Sequence, residues 1–176
     1  MKTELHIPSD LRFLAIAEEW LFSTLKLELG DEVDWTRQTS RLRLALVEAY
    51  SNVVRHAHRE QPELPIILKL ELHDRDLSLQ IWDRGDGYDP SEYRTPSPED
   101  KQEHGYGWLI LNRLMDRVEY QLQIDGGNCL TLEATLPANS TPANSMPTNS
   151  TPENSTPANS IPVSSMPVKT IPQPLT

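Results

Sequence analysis

The stretch RLRLALVEAYSNVVRHAH, residues 41–58, decides the fold of this chain. Its apolar residues recur at three- and four-residue steps, which predicts a helix with one apolar stripe. Glu48 and Asn52 are four residues apart and therefore share a helix face, with His56 one turn further along. A carboxylate and a carboxamide that face the same space can position a water molecule and a hard metal ion. The stripe consists of Leu42, Ala45, Leu46, Ala49, Val53 and Ala57.

Composition and charge exclude several functional classes. The chain has 176 residues and a formal net charge of −10, which argues against a nucleic-acid binder and against docking on anionic membranes. Cys129 is the only cysteine, so it forms no internal disulfide, and its apolar surroundings predict a buried, inert thiol. No signal peptide and no apolar run of roughly 20 residues is found. We expect a cytoplasmic protein.

The carboxyl-terminal part of the sequence is a proline-rich repeat. From Leu136 the chain runs in pentads such as Thr-Pro-Ala-Asn-Ser, with proline at every fifth position. Proline at that spacing forbids helix, and few large apolar residues remain to offset the entropy of ordering. We therefore predict one folded domain over residues 1–136 and a disordered tail over residues 137–176.

The elements between these limits predict an α+β fold. A first helix over residues 11–29 stops at Gly30, and Asp34 caps the helix described above. Alternating runs predict two hairpins, whose strands cover residues 66–73 with 77–83 and residues 118–124 with 129–136. A third helix begins at Gly107, and Asp125–Gly127 supplies the turn of the second hairpin. Helices then cover one face of a largely antiparallel sheet.

Two glycine-bearing stretches are candidates for a ligand site. Asp83-Arg84-Gly85-Asp86-Gly87 follows an apolar strand, where a carboxylate can accept from an exocyclic amine and glycines let a ring approach the backbone. Gly105-Tyr106-Gly107 opens a helix, whose amides attract phosphate. Taken alone, the first also fits a plain turn and the second a capped helix. No Walker loop is present, because no Gly-Lys-Ser/Thr follows.

The pair on the central helix carries the chemistry. The Asn52 oxygen suits Mg²⁺, which also takes water and phosphate oxygens, and Glu48 can accept a proton from an attacking hydroxyl or water. Taken alone, the pair equally fits a solvated glutamate on a surface helix. Read from their neighbours only, His56 and His58 are capping or surface histidines, and a zinc site is discounted.

In this order and at these intervals, the three stretches resemble the boxes of the histidine-kinase-like ATPase superfamily, also called GHKL. Residues 46–57 resemble its N box, residues 83–90 its G1 box and residues 105–110 its G2 box, after a lid over residues 89–104. The Glu-Ala-x-x-Asn-x-x-x-His-Ala form is similar to RsbW-type anti-sigma-factor serine kinases. The resemblance implies a two-layer sandwich with a mixed, mostly antiparallel sheet and helices on one face, the Bergerat ATP-binding fold.

The resemblance also implies roles for single residues. Asp83 would bind adenine N6, Asn52 would ligate Mg²⁺, and Glu48 would be the catalytic base toward a serine hydroxyl of a partner protein. Asn128 stands where a threonine is common in the family, and the lid lacks the usual basic, threonine-rich run. The remaining residues implied in ATP binding are His56, Gly85, Gly87, Gly105, Tyr106 and Gly107.

Three functions fit these motifs. The first is an ATP-dependent serine/threonine kinase that phosphorylates a small STAS-type antagonist in a partner-switching module and captures a sigma factor, with a homodimer expected from the resemblance. The second is a module that holds ATP and a regulator without phosphotransfer. The third is the ATP-binding half of a two-component histidine kinase, which needs an upstream helical hairpin with a phosphorylated histidine. Only two helices precede the strand over residues 66–73, and both belong to the ATPase domain, which disfavours this function.

Overall fold

The computed structural model describes residues 1–59, 61–87 and 106–139. The predicted lid over residues 89–104, Gly105 and residues 140–176 of the predicted tail lie outside these ranges. Within them, no helix combines the length and the apolar character needed to cross a bilayer.

The described residues form a five-stranded sheet and three α-helices. The strands are β1 (Lys2–Pro8), β2 (Pro65–His73), β3 (Asp76–Asp83), β4 (Arg117–Ile124) and β5 (Gly127–Thr135), in the order β1-β2-β3-β5-β4. The helices are α1 (Leu14–Leu29), α2 (Trp35–Asn52) and α3 (Tyr106–Leu114). All four strand pairings are antiparallel. This confirms the predicted α+β class and the largely antiparallel sheet, and no parallel pair occurs among the described strands.

The core lies between the helices and one face of the sheet. The register pairs Leu70 with Leu79 and Leu79 with Leu132, so alternate residues of three strands project to the same side. Leu21 of α1 and Leu46 of α2 are fully buried in the same cluster. The predicted arrangement with helices on one face is therefore confirmed. On the opposite face the Lys69 ammonium lies 4.6 Å from the ring centre of Trp82.

Hydrogen bonds fix the position of α2 in this sandwich. The Asp34 carboxylate caps the helix by accepting from the Thr36 amide. The buried Tyr50 hydroxyl donates to the Pro8 carbonyl at 2.8 Å, which ties the helix to the end of β1. These contacts hold the Glu48–Asn52 segment at a defined depth above the sheet.

Two local predictions differ from the structure. The helix predicted to reach His58 changes at Val53 into a π-helical turn, Val53–Ala57, which carries one more residue per hydrogen-bonded ring than an α-helix. In the turn of the second hairpin, the left-handed residues are Asp125 (φ 47°) and Gly126 (φ 79°). Gly127 was predicted to belong to the turn; it is instead the first residue of β5.

Candidate functional site

A cavity opens where the π turn, the end of β3 and the first turn of α3 meet. Its volume is about 300 Å³, at the lower end of the roughly 300–1,000 Å³ range of small-molecule sites. Most of its wall is apolar, and its polar groups come from the stretches that the sequence singles out. The lining residues are Ala49, Asn52, Val53, His56, Ala57, Asp83, Gly87, Gly107, Trp108, Tyr120 and Leu130.

Asp83 is a buried carboxylate, and one of its two oxygens accepts hydrogen bonds from the protein itself. The residue is 3% exposed, and its Oδ1 accepts from the Gly85 amide at 2.9 Å and from Asn128 Nδ2 at 2.9 Å. Among the described residues, none donates to its Oδ2. Because Asp83 lines the cavity, Oδ2 is available to a donor on a bound ligand, such as an exocyclic amine.

Asn128 supports this carboxylate and was not predicted as a site residue. It is 1% exposed, and its Nδ2 also donates to the Gly85 carbonyl at 2.9 Å. Its Oδ1 accepts from the Gln123 amide at 3.2 Å. Asn128 therefore ties β5 to the Asp83–Gly85 turn. The only signal for this residue in the sequence was its position after Gly127, where a threonine is common in the family.

Glycine is required at positions 85 and 87 of the Asp83–Gly87 turn for two different structural reasons. A Cβ on Gly85 would overlap the Ala57 carbonyl oxygen, so the turn packs directly on the backbone of the π turn. Gly87 has φ +72° and lines the cavity. A side chain there would be strained and would collide with Leu122. These positions let the backbone of the turn border the cavity closely.

The Glu48–Asn52 pair meets the start of α3. A Cβ on Gly107 would lie 3.2 Å from Glu48 Oε2 and 3.2 Å from Asn52 Nδ2. Asn52 and Gly107 line the cavity, whereas Glu48 is half-buried and is not among the lining residues. The carboxylate therefore stands beside the cavity, next to Gly107, and the carboxamide lies in its wall.

The structure brings the other predicted residues together only in part. His56 is exposed and lines the cavity. Tyr106, the first residue of α3, is 39% exposed and is not among the lining residues. Gly105 lies outside the described residues, so its role stays a prediction. The wall residues Trp108, Tyr120 and Leu130 were not predicted as site residues, because a core position and a cavity wall have the same apolar pattern in a sequence.

His58 differs from its predicted place. It was predicted to be a capping or surface histidine. It is the C-cap residue of the π turn, but it does not lie on the surface, because the residue is only 2% exposed. Its Nε2 accepts from the Arg84 amide at 3.1 Å, directly after Asp83. The π turn is the physical reason: the His58 amide bonds to the Val53 carbonyl, five residues back. His58 thus follows Val53 on the inner face, a place that α-helical spacing assigns to Ala57.

Cys129 also lies near the site, on β5. It is buried, and burial raises the pKa of its thiol. A thiol with a raised pKa is a poor nucleophile at neutral pH. The prediction of an inert, buried cysteine fits both observations.

A magnesium ion at this site would need ligands from outside the protein. In the described part of the chain, no three His, Cys, Asp or Glu side chains converge on one point. The Asn52 carboxamide in the cavity wall and the Glu48 carboxylate beside it supply oxygen atoms, which Mg²⁺ prefers. This donor set fits an ion that completes its shell with phosphate oxygens and water.

Sequence comparison agrees with this geometry. The profile of the histidine kinase-like ATPase domain family matches residues 8–134. The chain belongs to this family. The resemblance inferred from the three motifs is therefore confirmed, and the matched range contains α2, the Asp83–Gly87 turn and α3.

Two curated relatives carry kinase names. The serine/threonine-protein kinase BtrW of Bordetella bronchiseptica is 36% identical over 104 residues, which cover 54% of this chain and 72% of that protein. The serine-protein kinase RsbW of Halalkalibacterium halodurans is 26% identical over 137 residues, covering 73% and 80%. Among solved structures, the catalytic domain of histidine kinase ThkA aligns with a TM-score of 0.48 at 13% identity, covering 78% of this chain and 97% of that one.

Proposed function

We propose that this chain is an ATP-dependent serine/threonine kinase that phosphorylates a small STAS-type antagonist and binds a sigma factor within a partner-switching module. The observation that carries the proposal is one cavity lined by both Asp83 and Asn52, with Glu48 beside it at Gly107. The kinase names of BtrW and RsbW support the reaction class.

Each side chain has a defined task in this proposal. Asp83 Oδ2 accepts a hydrogen bond from the adenine amine. The backbone of the Asp83–Gly87 turn leaves space for the adenine ring. Asn52 contributes a ligand to Mg²⁺, which neutralises charge on the phosphates. Glu48 takes the proton from the serine hydroxyl of the partner protein. The serine oxygen then bonds to the γ-phosphorus of ATP, while the bond between the γ-phosphorus and the oxygen that bridges it to the β-phosphate breaks. ADP is the leaving group.

The identity of the partners rests on the family resemblance. The sigma factor, the STAS-type antagonist, the homodimer and the cytoplasmic location remain predictions. A net charge of −10 fits protein partners better than nucleic acid, since phosphate binding by a surface requires a basic stripe.

The substitution Glu48→Gln tests the reaction. We expect ATP binding to be kept, because Glu48 is not among the cavity's lining residues, and phosphate transfer to fall roughly 10²–10⁴-fold, the usual contribution of a general base. The measurement is transfer from ATP labelled at its γ-phosphate to purified STAS-domain proteins of the same organism, with ATP affinity determined in parallel. Glu28→Gln, at an exposed position of α1, is the matched control.

Two outcomes would contradict the proposal. Equal transfer by wild type and Glu48→Gln would refute the role of Glu48 as base. Tight ATP binding by the wild type without transfer to any STAS-domain protein would favour the module that holds nucleotide and regulator without chemistry.

A further inference from the structure

His58 is a buried imidazole next to the candidate site, and neither the proposed mechanism nor the family boxes use it. It contacts the Asp83–Gly85 turn at Arg84 and is not among the residues that line the cavity. Its Nε2 is the acceptor for the Arg84 amide. In the same turn, Asn128 Nδ2 donates to Asp83 Oδ1 and to the Gly85 carbonyl. Together, these two side chains hold the backbone at Arg84 and Gly85, directly after Asp83.

The hydrogen bond to Arg84 defines the protonation state of the ring. An amide N–H only donates, so Nε2 must carry a lone pair, and in the neutral ring the proton sits on Nδ1. Nδ1 is buried and finds no partner among the residues that the structure describes. Buried polar atoms without partners are rare in native proteins and call for an explanation. A second ring proton would place Nε2–H against the Arg84 N–H, and the contact would be lost.

We propose that His58 is a positioning residue of the nucleotide site, whose neutral ring holds the Asp83–Gly85 turn in its ligand-binding form and releases it on protonation. This inference rests on the proposed binding of an adenine nucleotide to Asp83. The ring acts through the turn, because His58 is not among the residues that line the cavity.

The surroundings of the ring set the pH range of the effect. Burial lowers the pKa of His58 below its ordinary value of 6.5, while the charges of Asp83 at the end of β3 and Glu63 before β2 raise it by less. Arg84 offers the ring its backbone amide. The ring is therefore neutral above about pH 6.5, where the turn is held. Affinity for nucleotide is lost as the pH falls below that value and passes through the pKa of His58 in the folded protein.

The test compares ADP affinity of the full chain between pH 5.5 and 8 for wild type, His58→Gln and His58→Asn. The Gln oxygen reaches about as far as Nε2 and does not titrate, so His58→Gln should bind ADP like wild type at pH 8. At pH 5.5 it should bind ADP more tightly than wild type, whose turn is released by protonation of His58. The shorter Asn cannot reach Arg84 and should weaken binding about tenfold at pH 8, the effect of one buried hydrogen bond. All other groups of the protein and the ADP phosphates are common to the three proteins, so their contributions to the pH dependence cancel.

A second readout does not involve nucleotide. The ¹⁵N signals of the His58 ring should report a proton on Nδ1 at pH 8, and the Arg84 amide signal should shift with the titration of that ring.

The outcomes separate the two claims. Parallel pH profiles for wild type and His58→Gln, or a proton on Nε2 at pH 8, would overturn the role of His58. Absence of ADP binding by the wild type at every pH would refute the proposed function itself, whatever the ring signals show.

Discussion

At the scale of single residues, the site depends on the different environments of two oxygens of one carboxylate. Asp83 Oδ1 accepts two hydrogen bonds from the protein, whereas Oδ2 has no donor among the described residues. The protein thus orients the carboxylate with its own amides and leaves Oδ2 free to accept from the adenine amine in the proposed function. An exocyclic amine, as on adenine, complements that acceptor, and a carbonyl at the same place, as on guanine, does not.

The substitution Asp83→Asn tests this division. Asn can still accept at Oδ1, so the turn should keep its form, but an NH₂ group then faces the ligand amine. We expect ADP affinity to fall roughly 10- to 100-fold, the range for a hydrogen bond to a charged group, with little change in the free energy of unfolding. Calorimetric titration measures the affinity, and Asp74→Asn, at an exposed position outside the cavity, is the control. Unchanged affinity in Asp83→Asn would contradict the role of Oδ2.

Sequence patterns predicted some of these residues and missed others for physical reasons. Asp83, Gly87 and Asn52 were predicted as site residues because strand ends, glycines and helical spacing are visible in a sequence, and all three line the cavity. His58 was missed because the π turn moves the inner face by one position, and helical spacing assumes a regular helix. Asn128 was missed because its partners, Asp83 and Gly85, lie more than 40 positions away along the chain, and no local pattern reports such contacts.

At the scale of elements, α3 depends on α2 for its position. The Arg41 guanidinium donates to the Leu114 carbonyl at the end of α3 and to Asp116 at 2.9 Å. Asp116 in turn accepts from the Thr135 amide of β5 at 2.7 Å. The far end of α3 is thereby anchored to both layers. Since Gly107 at its near end faces Glu48 and Asn52, this anchor helps to set the geometry of the site.

We predict that Arg41→Ala loosens this anchor. The free energy of unfolding should fall by about 1–2 kcal/mol, less than for a fully buried charged pair, because the Asp116 partner is partly exposed to solvent. Arg37→Ala, at an exposed position of the same helix, should change it by less than about 0.5 kcal/mol. Urea denaturation measures both. Equal stability of the two variants would show that the Arg41 contacts contribute nothing.

The secondary structure itself was largely predictable. Alternation of Leu68, Leu70 and Leu72 with polar residues reflects a strand with one buried face, and all three residues are buried. Helix ends followed local chemistry at Gly30 and Asp34. The order β1-β2-β3-β5-β4 was not predicted, because strand order depends on contacts between distant segments.

At the scale of the whole molecule, the described part of the chain extends just past β5. The Ala138 backbone pairs with Val33, and the Asn139 amide donates to the Glu32 carbonyl at 2.7 Å. These contacts join the segment after β5 to the turn between α1 and α2. Ala138 and Asn139 belong to the first proline-rich pentad, which begins at Leu136.

A truncation after Asn139 tests the predicted independence of the tail. We expect a chain of residues 1–139 to have the same unfolding midpoint and the same ADP affinity as the full chain, because residues 140–176 carry too few large apolar groups to form a core. Thermal unfolding and calorimetry measure the two quantities. A lower midpoint or a weaker affinity would show that the tail packs on the domain or contributes to the site.

The most direct test of the account is calorimetric titration of the purified full chain with ADP and, separately, with GDP at pH 8 in the presence of Mg²⁺. We predict saturable binding of one ADP per chain and at least about tenfold weaker binding of GDP, the discrimination expected when a buried acceptor loses its donor. Equal affinity for the two nucleotides, or no binding of ADP, would contradict the assignment of the cavity to adenine.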